Sequence, residues 1–242
     1  MDLTISAIMA TYNGDKYIRA QIDSILGQIG KNDELIISDD GSNDKTCEII
    51  QEYAQKYDNV FVFDGPHKGY IENFQFLLSK TKNDLVMISD QDDIWEKNKV
   101  EKIKKVFGSN RDIWVVIHDA SFINKSGAKL EGTIFRERNA KSGFWNNLIK
   151  SMYYGCCMTL SREYVDFILP FPYTVAAYDQ WIGLYAEYKK KTFVLNESLI
   201  KHRLHDNNQS IKRSMIYRIW FRYIMLKYVI SLEHRKTGIK VQ

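Results

Sequence analysis

Residues 85–95 read LVMISDQDDIW, an apolar run that passes directly into three carboxylates within four positions. The apolar part predicts a buried β-strand. Asp90 and Asp92 are two positions apart, and side chains at i and i+2 of an extended chain share a face. Two carboxylates on one face can hold a divalent cation, which in turn can hold a diphosphate. For this pair alone, the alternative is a polar strand end that turns into a helix.

The residues before this segment alternate between strand and helix patterns. Strands are predicted at Leu3–Met9, Glu34–Ser38, Val60–Phe63 and Leu85–Ser89, and helices at Lys16–Gln28, Lys45–Lys56 and Glu72–Ser79. This order predicts an α/β fold, a mostly parallel central sheet with helices on both faces. Polar segments follow three of the strands, at Ala10–Gly14, Ser38–Asp44 and Ser89–Asp93. Because ligands bind at the carboxyl ends of parallel strands, these segments are expected to form one site.

The second half of the chain is less regular. Helices are predicted at Lys97–Phe107, Tyr178–Lys189 and about Ile211 to His234, and strands at Ile113–His118, Tyr153–Leu160 and Phe193–Leu195. Residues 211–242 contain eight Lys/Arg and one Glu, so they contribute +7 to the overall +4 and leave −3 on residues 1–210. Basic charge confined to a tail does not suit a nucleic-acid-binding domain, and no nucleic-acid partner is expected.

The last predicted helix has an apolar stripe between basic side chains. The stripe consists of Ile211, Met215, Ile216, Ile219, Tyr223, Leu226 and Ile230. Such a helix, over residues 211–235, is typical of peripheral association with an anionic membrane leaflet. Packing on its own domain, or on a second subunit in a homodimer, is the alternative.

Composition bounds the class of protein. With 242 residues, 45% hydrophobic and 26% charged, the chain suits one sizeable globular domain with a small appendage. No apolar run approaches the ~20 residues that span a bilayer, and the N-terminus lacks the pattern of a signal peptide, so a cytoplasmic location is expected. The three cysteines, Cys47, Cys156 and Cys157, show no metal-ligand spacing and suit a reducing compartment.

Five motifs, in order along the chain, resemble the signature of family 2 glycosyltransferases with the GT-A fold. They are ATYNG at 10–14, DDGSND at 39–44, SDQDDIW at 89–95, GCCM at 155–158 and YDQW at 178–181. The resemblance implies a GT-A domain over 1–210, with a nucleotide-binding half at about 1–110 and an acceptor-binding half at about 111–210, followed by the basic amphipathic helix at 211–242. The third motif looks most like that of rhamnosyltransferases of bacterial surface-polysaccharide assembly.

The resemblance also implies which residues bind the donor. They are Thr11, Tyr12, Asn13, Asp40, Asn73, Asp90 and Gln91. The ring of Tyr12 can flank a flat nucleobase. Asp40 can accept a hydrogen bond from the imide N–H of uracil or thymine. A helix cap is the alternative role for Asp40, although Asp44 is the better candidate for a cap.

A metal ion and a catalytic base are implied in the same way. Asp92 is the expected direct ligand of Mg²⁺ or Mn²⁺, with Asp90 facing the ribose or the metal. His205, near the end of the domain, is expected to complete the metal shell or to contact the diphosphate, with a structural role as the alternative. Asp179 is the candidate general base for an acceptor hydroxyl, with a helix-start residue as the alternative. Many family members have His where this chain has Tyr178.

The expected activity is that of an inverting, metal-dependent glycosyltransferase. The donor would be dTDP-rhamnose or a UDP-hexose, and the acceptor a glycan hydroxyl on a lipid-linked oligosaccharide in O-antigen or capsule synthesis, at the cytoplasmic face of the inner membrane. A sugar nucleotidyltransferase is one alternative, but it should have a Gly-rich basic loop after the first strand. A non-catalytic module that binds nucleotide or scaffolds an assembly complex is the other.

Overall fold

The computed structural model describes residues 3–173, 175, 177–205 and 215–237. Its strands are β1 (Ile5–Thr11), β2 (Glu34–Asp39), β3 (Val60–Asp64), β4 (Leu85–Ser89), β5 (Ile94–Trp95), β6 (Val115–Ile123), β7 (Lys129–Thr133), β8 (Met158–Ser161) and β9 (Thr192–Arg203). Its helices are α1 (Ile18–Leu26), α2 (Thr46–Lys56), α3 (Tyr70–Lys80), α4 (Lys99–Ser109), α5 (Ile134–Arg138), α6 (Phe144–Ile149), α7 (Arg162–Ile168), α8 (Tyr178–Tyr188) and α9 (Met215–Thr237).

The first four long strands form the parallel part of the sheet. They lie in the order β3-β2-β1-β4, and all three pairings are parallel. Every residue of β2 and β4 is buried, as expected for strands covered on both faces by crossover helices. The predicted α/β fold is therefore confirmed, and the strands of this half end at the same edge.

The second half continues the sheet with mixed pairing. β8 lies between β4 and β6 and is antiparallel to both, and β9 is parallel to β6 and antiparallel to β5. β9 is much longer than the predicted strand Phe193–Leu195. The register moves from His118 opposite Leu195 to Asp119 opposite Ser198, so the two residues between Leu195 and Ser198 bulge out of the pairing. The bulge consists of Asn196 and Glu197. Because both residues are polar, the apolar pattern ends at Leu195 and does not predict that the strand continues.

The predicted strand Tyr153–Leu160 is divided in the structure. Residues Gly155–Cys157 form a 3₁₀ turn, and only the following residues pair as β8. Gly155 and Cys157 are buried in this turn. The turn brings the chain between β4 and β6 at the edge where the parallel strands end.

The C-terminal helix, α9, packs on its own domain with a face that differs from the predicted stripe. Phe221, Met225 and Val229 are buried at helical spacing, whereas Ile219 is 59% and Tyr223 63% exposed. The predicted start at Ile211 and the domain boundary at 210/211 lie outside the described residues. No helix in the described part of the chain is long and apolar enough to cross a membrane.

Candidate active site

A cleft of about 2060 Å³ lies at the carboxyl ends of β1, β2 and β4. The three polar segments that the sequence places after these strands all contribute to its lining. So do Asp179 at the start of α8 and His205 after β9. The expected convergence is therefore present, and the cleft joins the parallel half of the sheet to the second half.

Tyr12 forms an open wall of the cleft directly after β1. Its side chain is 52% exposed, which leaves a face for a planar ligand. Its backbone is held by Gln91, whose Oε1 accepts from the Tyr12 N–H at 2.9 Å and whose Nε2 donates to the Tyr12 carbonyl at 3.0 Å. A Cβ on Gly14 would lie 2.3 Å from the same Oε1, so this contact needs glycine there. Gln91 was expected at the donor, and it acts here by holding Tyr12.

The loop after β2 is organised by a buried carboxylate, Asp39. Its oxygens accept from the backbone N–H and the hydroxyl of Ser42, and from the Thr11 hydroxyl at 2.9 Å. Burial opposes ionisation of Asp39, but these hydrogen bonds outweigh it and lower the pKa of the carboxyl. The hydroxyl of Thr11, a residue expected to bind the donor, therefore hydrogen-bonds to Asp39 within the protein. Asn13 closes the same loop, because its Oδ1 accepts from the Asn43 N–H at 2.9 Å.

Asp40 and Asn73 each present an acceptor that has no partner. Oδ2 of Asp40 accepts from the Gly69 N–H at 2.7 Å, and Nδ2 of Asn73 donates to the Ser38 carbonyl at 3.0 Å. The other oxygens, Oδ1 of each residue, are buried and bond to no group that the structure describes. Since a buried acceptor without a donor is costly, these two oxygens favour a ligand that brings N–H or O–H groups.

Asp90 and Asp92 lie in the cleft as a crowded pair of carboxyls. Burial raises the pKa of Asp90 to about 7, and the charges of Asp93 and Asp92 add to this shift. Burial and the charge of Asp93 also raise the pKa of Asp92. His205 lies beside this pair, with its Nε2 2.6 Å from Oδ2 of Asp92 and its ring stacked on Tyr17.

These residues fit a divalent cation. Asp90 and Asp92 offer hard oxygen ligands and His205 an imidazole nitrogen, a set that Mg²⁺ or Mn²⁺ accepts. Burial, and after it the neighbouring carboxylates, raise the pKa values of Asp90 and Asp92 and so disfavour their ionised forms, which a cation there would stabilise. Asp92 and His205 are in direct contact, and Asp90 lines the same cleft.

Asp93 has a structural role next to the pair. Its Oδ1 lies 2.9 Å from Nδ1 of His202 and accepts from the Arg203 N–H at 3.1 Å. Although burial opposes protonation of His202, the charge of Asp93 and their hydrogen bond outweigh it and raise the pKa of the imidazole to about 9. Arg203 Nε also donates to the Asp92 carbonyl at 2.9 Å, so the end of β9 holds the acidic loop in place.

Asp179 is the second residue of α8 and lines the cleft. Its Oδ1 accepts from the Gln180 N–H at 2.7 Å, so it also serves the helix start. The preceding residue, Tyr178, stacks on Phe74 at 4.5 Å between ring centroids. Burial raises the pKa of Tyr178, and the charges of Asp90 and Asp179 add to the shift. A Cβ on Gly155 would lie 1.9 Å from the Tyr178 hydroxyl.

Lys99, which was not among the expected site residues, is a buried cation close enough for Asp93 and Asp90 to act on its charge. It is fully buried, donates to the Cys156 carbonyl at 3.2 Å, and lies over the ring of Trp95 at 4.3 Å. Burial lowers the pKa of its ammonium to about 8, against the charges of the neighbouring cysteines, Asp93 and Asp90. In the sequence Lys99 looks like any lysine of an amphipathic helix, so only the structure reveals its position.

The chain resembles characterised and uncharacterised proteins of one family. The model of the family described as "Glycosyl transferase family 2" matches residues 6–169. A putative teichuronic acid biosynthesis glycosyltransferase of Bacillus subtilis, TuaG, is 27% identical over 226 residues, 90% of this chain and 86% of that protein. The dTDP-rhamnosyl transferase RfbG of Shigella flexneri is 36% identical over 99 residues, 38% of this chain and 34% of that protein. The chain spans only 37% of the length of an uncharacterized Mycobacterium tuberculosis relative.

Solved structures with the same fold are more distant in sequence. Staphylococcus aureus TarS 1–349 in complex with UDP-GlcNAc superposes with a TM-score of 0.72 at 18% identity, over 99% of this chain and 68% of that one. The Pyrobaculum calidifontis mannosyltransferase PcManGT, in complex with GDP-Man and Mn²⁺, gives 0.64 at 14% identity, over 100% and 77%. At these identities the likeness supports the fold.

Proposed function

Because this chain belongs to glycosyl transferase family 2, we propose that it transfers a sugar from a nucleoside-diphosphate donor to a glycan hydroxyl, with inversion at the anomeric carbon. The observation that carries the proposal is the single cleft, which joins Tyr12 and Asp40 to the carboxylate pair and to Asp179. A nucleotide, a divalent cation and an acceptor hydroxyl each find suitable groups there. This combination is what a single displacement on a sugar nucleotide requires.

The nucleotide would bind on the β1 and β2 side. Tyr12 offers a ring for stacking on the base, and its backbone is held by the paired contacts to Gln91. The unpartnered Oδ1 of Asp40 would accept the imide N–H of uracil or thymine. The unpartnered Oδ1 of Asn73 would accept a second donor from the same ligand. These acceptors favour UDP or dTDP as the nucleotide.

Asp92, Asp90 and His205 would hold Mg²⁺ or Mn²⁺. When bound, the ion would neutralise charge on the departing nucleoside diphosphate. The chain's own residues hold this site open, because Asp93 and Arg203 anchor the acidic loop to β9. Asp179 would accept the proton of the attacking hydroxyl as that oxygen bonds to the anomeric carbon.

The donor sugar and the acceptor are proposed from the names of similar proteins. dTDP-rhamnose is one candidate donor because RfbG is named a dTDP-rhamnosyl transferase, and a UDP-hexose is the other because TarS was solved with UDP-GlcNAc. The acceptor would be a glycan of a bacterial surface polysaccharide, as the name of TuaG suggests, carried on a lipid in O-antigen or capsule synthesis.

Peripheral binding to the cytoplasmic face of the inner membrane would suit such an acceptor. Ile219, Trp220 and Tyr223 are exposed on α9, and Trp145 and Ile149 are exposed on α6, which α9 contacts. Arg222 joins the two helices by donating to the Ile149 carbonyl at 2.6 Å. Exposed aromatic and aliphatic side chains beside basic residues favour a membrane surface. Replacing Ile219 and Tyr223 by Asp should reduce flotation with anionic liposomes, and unchanged flotation would favour a second subunit as the partner.

A screen of donors tests the proposed activity. Purified protein with Mn²⁺ is incubated with a panel of UDP-, dTDP- and GDP-sugars, and release of the nucleoside diphosphate is measured with and without acceptor glycosides. We expect release from one UDP- or dTDP-sugar, and its loss in Asp179→Asn. Release of pyrophosphate from a nucleoside triphosphate and a sugar phosphate would instead identify a nucleotidyltransferase. Nucleotide binding without turnover of any donor would favour the non-catalytic alternative.

A further inference from the structure

Besides Lys125, three Lys/Arg side chains from the second half of the chain line the cleft. They are Arg138 at the end of α5, Lys150 directly after α6, and Arg222 in α9. We refer to these three residues as the basic wall. They come from separate elements, so their position together depends on the fold rather than on a run of charge in the sequence.

The helix that precedes Lys150 and the helix that carries Arg222 both contact α8, the helix that begins beside Asp179. Gln180 Nε2 donates to the Asn147 carbonyl at 3.1 Å, which joins the start of α8 to α6. Arg222 donates to the carbonyl of Ile149 in the same helix, one residue before Lys150. These contacts tie α6, α8 and α9 together at one corner of the cleft.

Arg138 reaches the same corner through Tyr154. Its Nε donates to the Tyr154 hydroxyl at 2.5 Å, and its guanidinium lies 5.1 Å from the ring centroid. Burial raises the pKa of Tyr154, Arg138 opposes this shift, and Asp179 adds to it. Both charges therefore act on one phenol, and Arg138, Tyr154 and Asp179 all line the same cleft.

The charges of the basic wall are not neutralised by any carboxylate that the structure describes. Arg138 and Arg222 are held by a phenol and a carbonyl, which are neutral groups. By contrast, Arg19 and Arg162, away from the cleft, pair with Glu52 and Asp166. A guanidinium has five N–H donors, so most of the donors of both wall arginines remain for a ligand.

We propose that the basic wall binds a phosphate group of the acceptor, next to the hydroxyl that Asp179 would deprotonate. Arginine binds phosphate oxygens through paired N–H donors, and lysine adds a point charge. The ligand class is therefore an acceptor with a phosphate or diphosphate close to its reactive sugar, rather than a neutral glycan. This inference rests on the proposed function for the role of the ligand, although binding of phosphate can be measured without turnover.

The first experiment measures inorganic phosphate binding in EDTA, where no cation at Asp90 and Asp92 can hold phosphate. The variant is Lys150→Gln/Arg222→Gln, because glutamine keeps a donor for the Ile149 carbonyl without the charge. The matched control, Lys105→Gln/Arg111→Gln, removes the same two charges from exposed positions that do not line the cleft. Binding is followed by ³¹P NMR as inorganic phosphate is added to about 20 mM. We expect the dissociation constant for phosphate to rise roughly tenfold or more in Lys150→Gln/Arg222→Gln and to stay unchanged in the control.

Absence of binding to the wild type, or an equal effect in both double variants, would overturn the proposal. A thermal melt of each variant shows that the fold is retained, and Arg138→Gln provides an independent second test. It should weaken phosphate binding while leaving the contact between Arg222 and Ile149 intact. Unchanged phosphate binding in both Arg138→Gln and the wall double variant would remove the basic wall as the binding site.

The second experiment identifies the source of the phosphate. With the donor found in the screen, three acceptors carrying the same sugar are compared: an alkyl glycoside, a soluble sugar phosphate and an alkyl-diphosphate sugar. We expect the wall variants to raise KM for the phosphate-bearing acceptors only, with the KM for donor unchanged. An effect confined to the alkyl-diphosphate sugar would identify a lipid-linked acceptor, and a raised KM for donor would instead assign the wall to the donor. If no donor turns over, the proposed function fails, while the phosphate titration still decides this inference.

Discussion

Replacing Asp90 by Asn tests the electrostatics of the carboxylate pair. Burial, with the charges of Asp93 and Asp92, raises the pKa of Asp90 from its ordinary 3.8 to about 7. The folded protein therefore binds this proton more tightly than the unfolded chain does. The stability from this proton is fully present below about pH 4 and is lost as the pH rises through 7.

The size of the effect follows from the shift. Between pH 5 and pH 8 the wild type should lose roughly 2 to 3 kcal/mol of unfolding free energy through Asp90, since one pKa unit corresponds to about 1.4 kcal/mol. The Asn variant lacks this titration. Its unfolding free energy relative to wild type should therefore increase by that amount over the same pH range.

Urea unfolding followed by tryptophan fluorescence, in EDTA at several pH values, measures this difference. Asp58→Asn is the control, because Asp58 is an exposed carboxylate that does not line the cleft. A difference between Asp90→Asn and wild type that does not change with pH would show that Asp90 ionises normally, and the reasoning would fail.

Adding Mn²⁺ extends the same experiment to the metal. A carboxylate must lose its proton to bind a cation, so Mn²⁺ should stabilise the wild type at pH 8 and roughly tenfold higher Mn²⁺ should be needed at pH 6. In Asp90→Asn the requirement should change less with pH, because Asp90 no longer has a proton to lose while the pKa of Asp92 is still raised. Equal stabilisation of both proteins by Mn²⁺ at pH 8 would exclude Asp90 as a ligand.

Three further substitutions test the cleft. Asp179→Asn should keep the affinity for nucleotide, measured by calorimetry, and reduce transfer by about 10²–10⁴-fold, the usual contribution of a general base; full activity would exclude that role. Gln91→Ala removes two hydrogen bonds to the Tyr12 backbone, each contributing about 1 kcal/mol, so the affinity for UDP or dTDP should fall roughly tenfold. An unchanged affinity would show that Tyr12 is held without Gln91. Gly155→Ala should lower the unfolding free energy by about 1–3 kcal/mol. Adding Tyr178→Phe should recover part of that loss, because it removes the hydroxyl that the new Cβ would meet. No recovery would show that the hydroxyl does not cause the loss.

The parallel half of the fold could be predicted because its signals are local. β1, β2 and β4 are short, largely apolar runs that are almost entirely buried, and a polar segment follows each of them. The carboxyl ends of neighbouring parallel strands meet at one edge, so a few polar residues after each strand suffice to predict a shared site. Asp90 and Asp92 lie in the segment that follows β4 and line the cleft.

The remaining contacts of the site depend on pairings between distant segments. The contact of His202 with Asp93 spans 109 positions and depends on the bulge in β9, which polar residues conceal. Arg138 and Arg222 meet the cleft only because α5 and α9 fold back to it. For α9 the apolar periodicity admits two faces, and Phe221, buried on the face that was not predicted, shows that tertiary packing chose between them.

The hold of Gln91 on Tyr12 has a consequence for the order in which ligands bind. Gln91 lies between Asp90 and Asp92, so the segment that would coordinate the cation also restrains the ring that would meet the base. A ligand that immobilises one end of this segment reduces the entropy that the other ligand must remove on binding. Cation and nucleotide should therefore bind with positive cooperativity, even where they make no contact with each other. By reciprocity, nucleotide should tighten the cation by the same factor.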